Sequence, residues 1–387
     1  MRSKLVYAIA ATVLNIGWGL HFAFFTRYIA VELRGGLNSM LVFTGLGWFF
    51  VLLGVLAGEI ANRLGERKAI LLGVFQALPI LVGIVVKDPI ALAALLSVSA
   101  FPWVVSWSVV LKVIFAGAGA RPGREYSKIT LGTGAGYAIG SMISGPVYAM
   151  CRAEGVFILN AVLLLAPPLM WYCSYPRELQ QHGNMRVNLT SVVKKTLLPL
   201  ISLTLVVFTR ELLYSLAPVK LNTSIEEVLP AVPEWAKYSI YGLVYSGGAL
   251  ISPAARLLAG YLVDTYGPLW VYVYTTMGYL ALYWSFTSTS ALIPLLLWQI
   301  PLYPMLDTAY SVYIAKKLSR EELVTGFATA QAFTAIGGML VLPLLYLGDV
   351  DPVVAGVFAT LACVFSTTIM LVNSRRDQVM RESSGEH

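Results

Sequence analysis

Long runs of apolar, nearly uncharged residues recur from one end of this chain to the other. A helix that crosses a lipid bilayer needs about 20 such residues in succession. Apolar residues make up 58% of the 387 residues and charged residues only 12%, about half the roughly 25% of a typical soluble domain. The pattern therefore predicts an all-α membrane protein and excludes a soluble globular domain, a coiled coil and a disordered chain.

Twelve transmembrane helices are predicted from these runs. They are 5–31, 38–61, 69–86, 89–116, 128–150, 155–176, 196–220, 235–262, 268–287, 289–316, 324–347 and 351–373. A hydrophilic stretch separates the first six from the last six. The predicted organisation is an N-terminal six-helix bundle (1–176), a cytoplasmic linker (177–195), a C-terminal six-helix bundle (196–373) and a cytoplasmic tail (374–387).

The basic residues are distributed unevenly between the two sides of the predicted membrane. With a cytoplasmic N-terminus, 19 of the 27 Lys and Arg residues lie at the inner face and five lie in outer loops. This asymmetry is the positive-inside pattern of a multi-pass protein of the cell membrane. It predicts that both termini are cytoplasmic, and it explains the net charge of +7 without a nucleic-acid partner.

The two halves of the sequence repeat each other. Residues 58–65 read G-E-I-A-N-R-L-G, and residues 260–267, at the equivalent place in the second half, read G-Y-L-V-D-T-Y-G. Gly140 and Pro146 recur as Gly337 and Pro343. Such a repeat predicts two pseudo-symmetric bundles with a substrate site near the bilayer midplane.

The first copy of the loop resembles the signature between helices 2 and 3 of the major facilitator superfamily, G-x-x-(A/S)-D-(R/K)-x-G-(R/K)-(R/K). The residues that match it are Gly58, Ala61, Arg63, Gly65, Arg67 and Lys68. Asn62 stands where the family has an acid, whereas Asp264 keeps the acid in the second copy.

The resemblance implies the major facilitator fold, transport by alternating access, and a gate at the cytoplasmic side. The predicted gate residues are Gly58, Asn62, Arg63, Gly65, Arg67, Arg256, Gly260 and Asp264. The alternative interpretation is that the basic cluster only sets the topology.

Glycines recur every four residues in the fifth span, at Gly132, Gly136 and Gly140, and Gly145-Pro146 follows them. Small residues at this spacing let helices pack closely. Gly132, Gly145 and Pro146 also match part of the helix-5 signature of the antiporters of this superfamily, although the other glycines of that signature are replaced. The resemblance favours export by exchange, and ordinary helix packing is the alternative.

Charged residues inside the predicted spans are functional candidates, because a charge near a helix centre costs at least about 2.5–3.5 kcal/mol on insertion scales. Arg210 and Glu211 lie near the middle of the seventh span, and Asp307 lies in the inner half of the tenth. Glu211 is the first candidate for proton coupling and Asp307 the second, with a structural ion pair as the alternative. Arg27 and Lys112 lie nearer helix ends, where extension toward the lipid headgroups is the favoured interpretation.

Uncharged polar and aromatic residues in the spans complete the candidate site. His21 is a third candidate for proton coupling, since imidazole titrates near neutral pH, or else a hydrogen-bonded structural residue. The candidates for lining a substrate cavity with Arg210 are Asn15, Trp18, Trp107, Asn160, Tyr214, Tyr245, Gln299, Tyr303 and Gln331.

The motif content predicts neither an enzyme nor an ATP-driven pump, because the sequence has no H-E-x-x-H and no phosphate-binding loop. We expect a monomeric secondary transporter in the lipid bilayer that moves a small organic solute, with protons as the coupling ion and export as the direction. No cofactor or metal is expected. Uptake or exchange of an organic anion is the alternative, because Arg27, Lys112 and Arg210 outnumber Glu211 and Asp307 in the spans. A non-transporting receptor on the same fold is more remote.

Overall fold

The computed structural model describes residues 2–116, 122–176, 189–318, 322–348 and 350–384. In this part of the chain the backbone forms α-helices and short 3-10 and π-helical segments, and it contains no β-strand. The predicted all-α class is therefore confirmed. Most of the predicted linker (177–188) and the end of the predicted tail (385–387) lie outside the described residues, as do the side chains of Asn62 and Lys112.

The first half of the chain forms eight helices in its described residues. They are α1 (Arg2–Arg27), α2 (Gly36–Leu52), α3 (Ala57–Leu64), α4 (Glu66–Leu71), α5 (Ala77–Gly83), α6 (Pro89–Ser97), α7 (Ala100–Ala116) and α8 (Pro122–Ser174). A π-helical segment, Tyr28–Glu32, extends α1, and 3-10 turns join α2 to α3 and α4 to α5. Helix α8 covers the fifth and sixth predicted spans, which separate at Arg152, where φ is 59°.

The second half forms seven helices in its described residues. They are α9 (Leu189–Val228), α10 (Glu234–Tyr266), α11 (Pro268–Ser288), α12 (Leu292–Leu297), α13 (Leu302–Ala315), α14 (Leu323–Met339) and α15 (Pro352–Ser384). The tenth predicted span was expected to be continuous over 289–316, and this expectation is wrong. The helix breaks between α12 and α13 because Pro301 lacks an amide hydrogen and disfavours helical geometry at Ile300.

Seven stretches of the described residues are each long and apolar enough to cross a membrane. They are Leu5–Glu32, Gly36–Leu56, Pro89–Leu111, Gly132–Ser174, Thr190–Val228, Gly326–Leu347 and Pro352–Arg376. The helices α10 and α11 and the α12–α13 pair are not among these seven stretches. The molecule is thus a multi-pass membrane protein, as the sequence predicts.

The chain divides into two compact units. Unit 1 comprises Met1–Asn184 and Ala217–Leu250, and unit 2 comprises Met185–Leu216 and Ile251–His387. Residues 217–250, which the sequence analysis assigns to the C-terminal bundle, therefore pack with unit 1. The boundary passes through α9 and α10, so each of these helices contributes residues to both units.

The loop repeat has the same backbone geometry in both units. Gly65 ends α3 and precedes α4 with φ 83° and ψ 143°. Gly267 stands between α10 and α11 with φ 81° and ψ 153°. A positive φ of this size is strained for any residue with a Cβ, so glycine is required at both turns.

The helix contacts of the two halves also correspond. A Cβ added at Gly140 of α8 would overlap the carbonyl oxygen of Ile16 in α1. A Cβ added at Gly337 of α14 would lie 2.5 Å from the carbonyl oxygen of Thr204 in α9. In each unit, a glycine of the fifth helix of the repeat thus lets that helix touch the backbone of the first.

Candidate functional site

The two charged residues in the middle of α9 form a buried ion pair. Arg210 Nε donates a hydrogen bond to Glu211 Oε1 at 2.8 Å, and Arg210 Nη2 lies 2.6 Å from the same oxygen. Adjacent helical positions point about 100° apart, yet the long arginine side chain folds back onto its neighbour. Each charge offsets the cost of burying the other, which is the condition for ionised side chains to persist away from water.

Aromatic rings surround this pair. The guanidinium carbon of Arg210 lies 5.8 Å from the ring centroid of Tyr214 and 5.6 Å from that of Tyr303. Trp298, at the break between α12 and α13, packs edge-on against Tyr214 with a centroid separation of 5.4 Å. The rings stabilise the cation through their electron-rich faces. Tyr214 and Tyr303 are predicted cavity residues, whereas Trp298 was not selected.

A second ion pair lies next to the first within unit 2. Arg256 Nη1 is 3.2 Å from Asp307 Oδ2, and the two side chains are 51% and 39% exposed. The guanidinium carbon of Arg256 lies 5.9 Å from the ring of Tyr303. Tyr303 therefore stands within reach of both arginines. We call Arg210, Glu211, Tyr214, Arg256, Tyr303 and Asp307 the unit 2 cluster.

The pairing of Arg256 and Asp307 differs from what the sequence suggested. Arg256 is predicted as a residue of the cytoplasmic gate, and no partner was predicted for it. Arg210 and Glu211 form the structural ion pair that was the alternative for Glu211, while the α10–α13 contact brings Arg256 to Asp307. Pairing between helices depends on tertiary packing, which spacing along one helix does not report.

Unit 1 holds a separate cluster of charged and aromatic residues where α1 ends and α10 begins. Arg27 is fully buried, and its Nη2 bonds Glu234. The ring of Tyr238 lies 4.7 Å from the guanidinium carbon of Arg27, and the Tyr238 hydroxyl donates to Glu32. Tyr148 also donates to Glu32, at 3.5 Å. The expectation that Arg27 extends to the headgroups is wrong, because a carboxylate compensates its charge inside the protein.

Glu234 and Glu32 are the charged residues that the sequence analysis missed. Glu234 precedes the predicted span 235–262 by one residue, and Glu32 follows the predicted span 5–31 by one residue. An acid in the first turn of a helix is common because it interacts favourably with the helix dipole. In the sequence, both acids lie one residue outside a predicted span. This position is also typical of ordinary loop residues, so it does not identify them as partners of a buried charge.

Three predicted residues meet in unit 1 around His21. His21 Nδ1 lies 3.2 Å from Asn160 Oδ1, and Asn160 Nδ2 donates to the carbonyl of Gly17 at 2.6 Å. Since Asn160 donates through its nitrogen, its oxygen accepts the hydrogen bond and His21 Nδ1 donates it. The rings of Trp18 and Phe25 lie 5.0 and 4.9 Å from the imidazole. His21 is thus a buried, hydrogen-bonded residue in an aromatic environment.

The other predicted cavity residues are divided between the units. Asn15, Trp107 and Tyr245 lie in unit 1, and Gln299 and Gln331 lie in unit 2. The side-chain amides of Asn15 and Gln299 donate to carbonyls of the preceding helical turn, at 2.8 and 3.1 Å. Trp107 and Tyr245 pack against other aromatic rings, and Gln331 is exposed.

The first loop of the predicted gate is fixed to the end of α8. Arg67 Nε donates to the carbonyl of Tyr172 at 3.2 Å, and its guanidinium carbon lies 4.3 Å from the Tyr172 ring. Arg63 is exposed. Gly58 and Asn62 belong to α3, but their side-chain surroundings lie outside the described part of the chain.

The second loop of the predicted gate is more open. Asp264 is exposed in the last turns of α10, and a Cβ added at Gly260 would meet no heavy atom within 4 Å. The two copies share the turn at Gly65 and Gly267.

The glycines predicted to pack helices lie at close contacts within unit 1. Gly132, Gly136 and Gly140 face α1, Gly145 faces the start of α10, and Pro146 lies inside α8. A Cβ at Gly136, for example, would lie 2.6 Å from the carbonyl oxygen of Thr12. Close helix packing is therefore sufficient to account for these glycines.

Comparison with known proteins gives a family and a fold. Residues 7–342 match the family model described as Major Facilitator Superfamily. The crystal structure of nucleoside transporter NupG is similar with a TM-score of 0.74 and 14% identity, over 96% of this chain and 99% of that chain. Peptide transporter POT in complex with sulfate is similar with a TM-score of 0.73 and 10% identity, over 97% of this chain and 94% of that chain. No match was found among curated protein sequences.

Proposed function

Because the chain belongs to the major facilitator superfamily, we propose that this multi-pass membrane transporter exports a small organic solute by alternating access in exchange for protons. The observation that carries the proposal is the buried ion pair of Arg210 and Glu211, which lies about midway along α9. A carboxylate at this depth is functional by default, since burying a charge is costly.

In the proposed cycle, Glu211 exchanges a proton for the solute. The ionised carboxylate accepts hydrogen bonds from Arg210 and compensates its positive charge. Protonation of Glu211 removes this compensation and changes the net charge of the unit 2 cluster, in which the solute is proposed to bind. The proton and the solute are thereby coupled without a direct bond between them, so loss of the titratable group uncouples transport from the pH gradient without removing the solute site.

The direction of transport is proposed from the sequence. Gly132, Gly145 and Pro146 match part of the antiporter signature in helix 5, and this match favours efflux. Close contacts at these glycines occur wherever two helices pack tightly, in exporters and importers alike. The direction of transport is therefore tested by flux measurements.

The alternative of organic-anion uptake loses support from the pairing of the charges. That alternative depends on uncompensated cations in the spans. Arg27 pairs with Glu234, a residue outside the predicted spans. Arg210 pairs with Glu211. The positive charge that would attract an anion is thus compensated at two of the three positions, and the side chain of Lys112, the third, lies outside the described residues. Exchange of a solute without net charge is therefore proposed ahead of anion uptake.

The cytoplasmic gate is part of the same proposal. Loops 58–68 and 260–267 are proposed to close the inner side of the transporter, with Asp264 as the acid of the pair. The shared turn geometry at Gly65 and Gly267 supports equivalent roles for the two loops. Arg256, which is also a predicted gate residue, bonds Asp307.

The coupling is tested with purified protein in liposomes under an imposed pH gradient. A solute is first identified by thermal stabilisation, since a ligand at 100 times its dissociation constant adds about 2.7 kcal/mol. Glu211→Gln is expected to abolish gradient-driven flux while solute exchange without a gradient continues. Glu226→Gln, an exposed carboxylate at the end of α9, is the control and is expected to transport like the wild type.

Two outcomes would contradict the assignment. Wild-type accumulation by Glu211→Gln under the gradient would show that this carboxylate does not couple transport to protons. Loss of coupling in Asp307→Asn with coupling retained in Glu211→Gln would move the role to Asp307.

A further inference from the structure

The ion pair of Arg256 and Asp307 lies within the predicted spans 235–262 and 289–316. Arg256 precedes the inner end of its span by six residues, and Asp307 precedes the inner end of its span by nine. At about 1.5 Å per residue, the two charges lie about 9 and 13 Å inside the ends of the spans. The hydrocarbon core is about 30 Å thick, so both charges lie in its inner half.

The exposure of this pair indicates contact with water. Side chains that are 51% and 39% exposed at this depth would be costly in contact with lipid. Charged residues in such positions face an aqueous pathway instead. The Arg256–Asp307 pair is therefore accessible to a solute, in contrast to the buried pair of Arg210 and Glu211.

Among the residues that the structure describes, Arg256 and Asp307 use little of their hydrogen-bonding capacity. Arg256 and Asp307 share one contact, from Nη1 to Oδ2 at 3.2 Å. A guanidinium has five N–H donors and a carboxylate has two acceptor oxygens, so one contact leaves both groups able to bind further partners. The exposed ring of Tyr303, 5.9 Å from the Arg256 guanidinium, adds an aromatic face.

The charge balance of the unit 2 cluster limits the solutes that fit. The cluster contains two arginines and two carboxylates, so its formal charge is zero. A solute with a net charge would leave that charge without a counter-charge in the cluster. A solute with one negative and one positive group can instead replace the contact between Arg256 and Asp307. Its negative group then contacts Arg256, and its positive group contacts Asp307.

From these observations we infer that Arg256 and Asp307 bind the solute, and that the solute is zwitterionic. Its carboxylate binds Arg256, its ammonium group binds Asp307, and its side chain lies against Tyr303. An α-amino acid has this combination of groups. The inference rests on the proposed transport function and adds the substrate class to it.

The test uses thermal unfolding of the purified full-length protein with three sets of small molecules. The first set is alanine, leucine and phenylalanine; the second is their amides, which lack the carboxylate; the third is their N-acetyl derivatives, which lack the ammonium group. At least one free amino acid is expected to raise the unfolding midpoint, while its amide and its N-acetyl derivative leave it unchanged.

Variants assign the effect to the ion pair. Asp307→Asn is expected to weaken binding of the amino acid by about 10- to 100-fold, the factor for loss of one charge-assisted hydrogen bond. Arg256→Lys keeps the positive charge but loses the planar guanidinium. It is expected to weaken binding of the amino acid less than Asp307→Asn does. Glu226→Gln changes an exposed carboxylate in the last turn of α9, and this variant is expected to bind the amino acid like the wild type.

The outcomes separate this inference from the transport proposal. The zwitterion site is refuted if no amino acid shifts the midpoint, or if the shift persists unchanged in Asp307→Asn. It is also refuted if uridine or a carboxylate such as 3-phenylpropionate shifts the midpoint instead. Solute flux in liposomes that responds to Glu211→Gln would then still support proton-coupled transport of another solute.

Discussion

The ion pair of Arg27 and Glu234 provides the sharpest stability test. Arg27 is fully buried, and its Nε and Nη1 atoms have no hydrogen-bond partner among the described residues. Its contacts are the Glu234 carboxylate and the ring of Tyr238. Glu234→Gln keeps the size of the side chain and removes its charge, so the variant leaves a buried cation with an aromatic ring and a neutral amide.

The expected loss lies between two limits. Removing one member of a fully buried pair costs about 3–5 kcal/mol, whereas an exposed pair contributes about 0–1 kcal/mol. Arg27 is fully buried and Glu234 is 46% exposed, so water partly replaces the lost interaction on one side only. We expect Glu234→Gln to lower the free energy of unfolding by about 2–3 kcal/mol.

The measurement is equilibrium unfolding in mixed detergent micelles, titrated with a denaturing detergent and followed by tryptophan fluorescence. Glu226→Gln is the matched control, because Glu226 lies 4.0 Å from Lys237 and is half-exposed. Its expected loss is below about 1 kcal/mol. The double variant Arg27→Met/Glu234→Gln should recover most of the stability, because an apolar side chain replaces the buried cation. Equal losses in Glu234→Gln and Glu226→Gln, or no recovery in the double variant, would refute the reasoning.

Three further predictions concern packing, capping and topology. Gly140→Ala should lower the free energy of unfolding by about 1–3 kcal/mol, because its Cβ would overlap the backbone of α1. Gly134→Ala should not, because its Cβ would lie 3.8 Å from the carbonyl oxygen of Ala249, an ordinary van der Waals distance; equal effects in detergent unfolding would contradict this contact. Asp88→Ala should cost about 1 kcal/mol in the same assay, because Asp88 caps α6 with a 2.7 Å hydrogen bond, and an unchanged stability would show that the cap is dispensable. In a cysteine-free background, Gly183→Cys should react with an impermeant thiol reagent only from the cytoplasm and Glu226→Cys only from outside, and the reverse labelling would overturn the topology.

The fold could be predicted from the sequence because its main determinant is local. Each membrane-spanning run is continuous in the chain, and lipid forces a continuous apolar run into a helix, since only a helix satisfies all backbone hydrogen bonds within the run. The turns at Gly65 and Gly267 are local for the same reason, because a positive φ is a property of one residue. The break at 298–301 was missed, although Pro301 was visible, because prolines are tolerated in many membrane helices.

The candidate site could be predicted only in part. Arg210, Glu211 and Asp307 were selected because a charge inside an apolar run is conspicuous along the chain. Arg210 and Glu211 pair with each other, but the partners of Asp307 and Arg27 were not visible in the same way. Asp307 bonds Arg256 from another helix, and Glu234 lies at the edge of a predicted span.

The sequence by itself determined that this protein folds in a lipid bilayer, which segments cross the bilayer, and that the chain consists of two related halves. These properties follow from runs and repeats that can be read residue by residue. The tertiary structure alone decided which charges compensate each other, and it made Arg256 a neighbour of Tyr303 and Asp307. Helix rotation and contact are set by side-chain packing over the whole molecule, and pairings between helices are therefore absent from any local pattern.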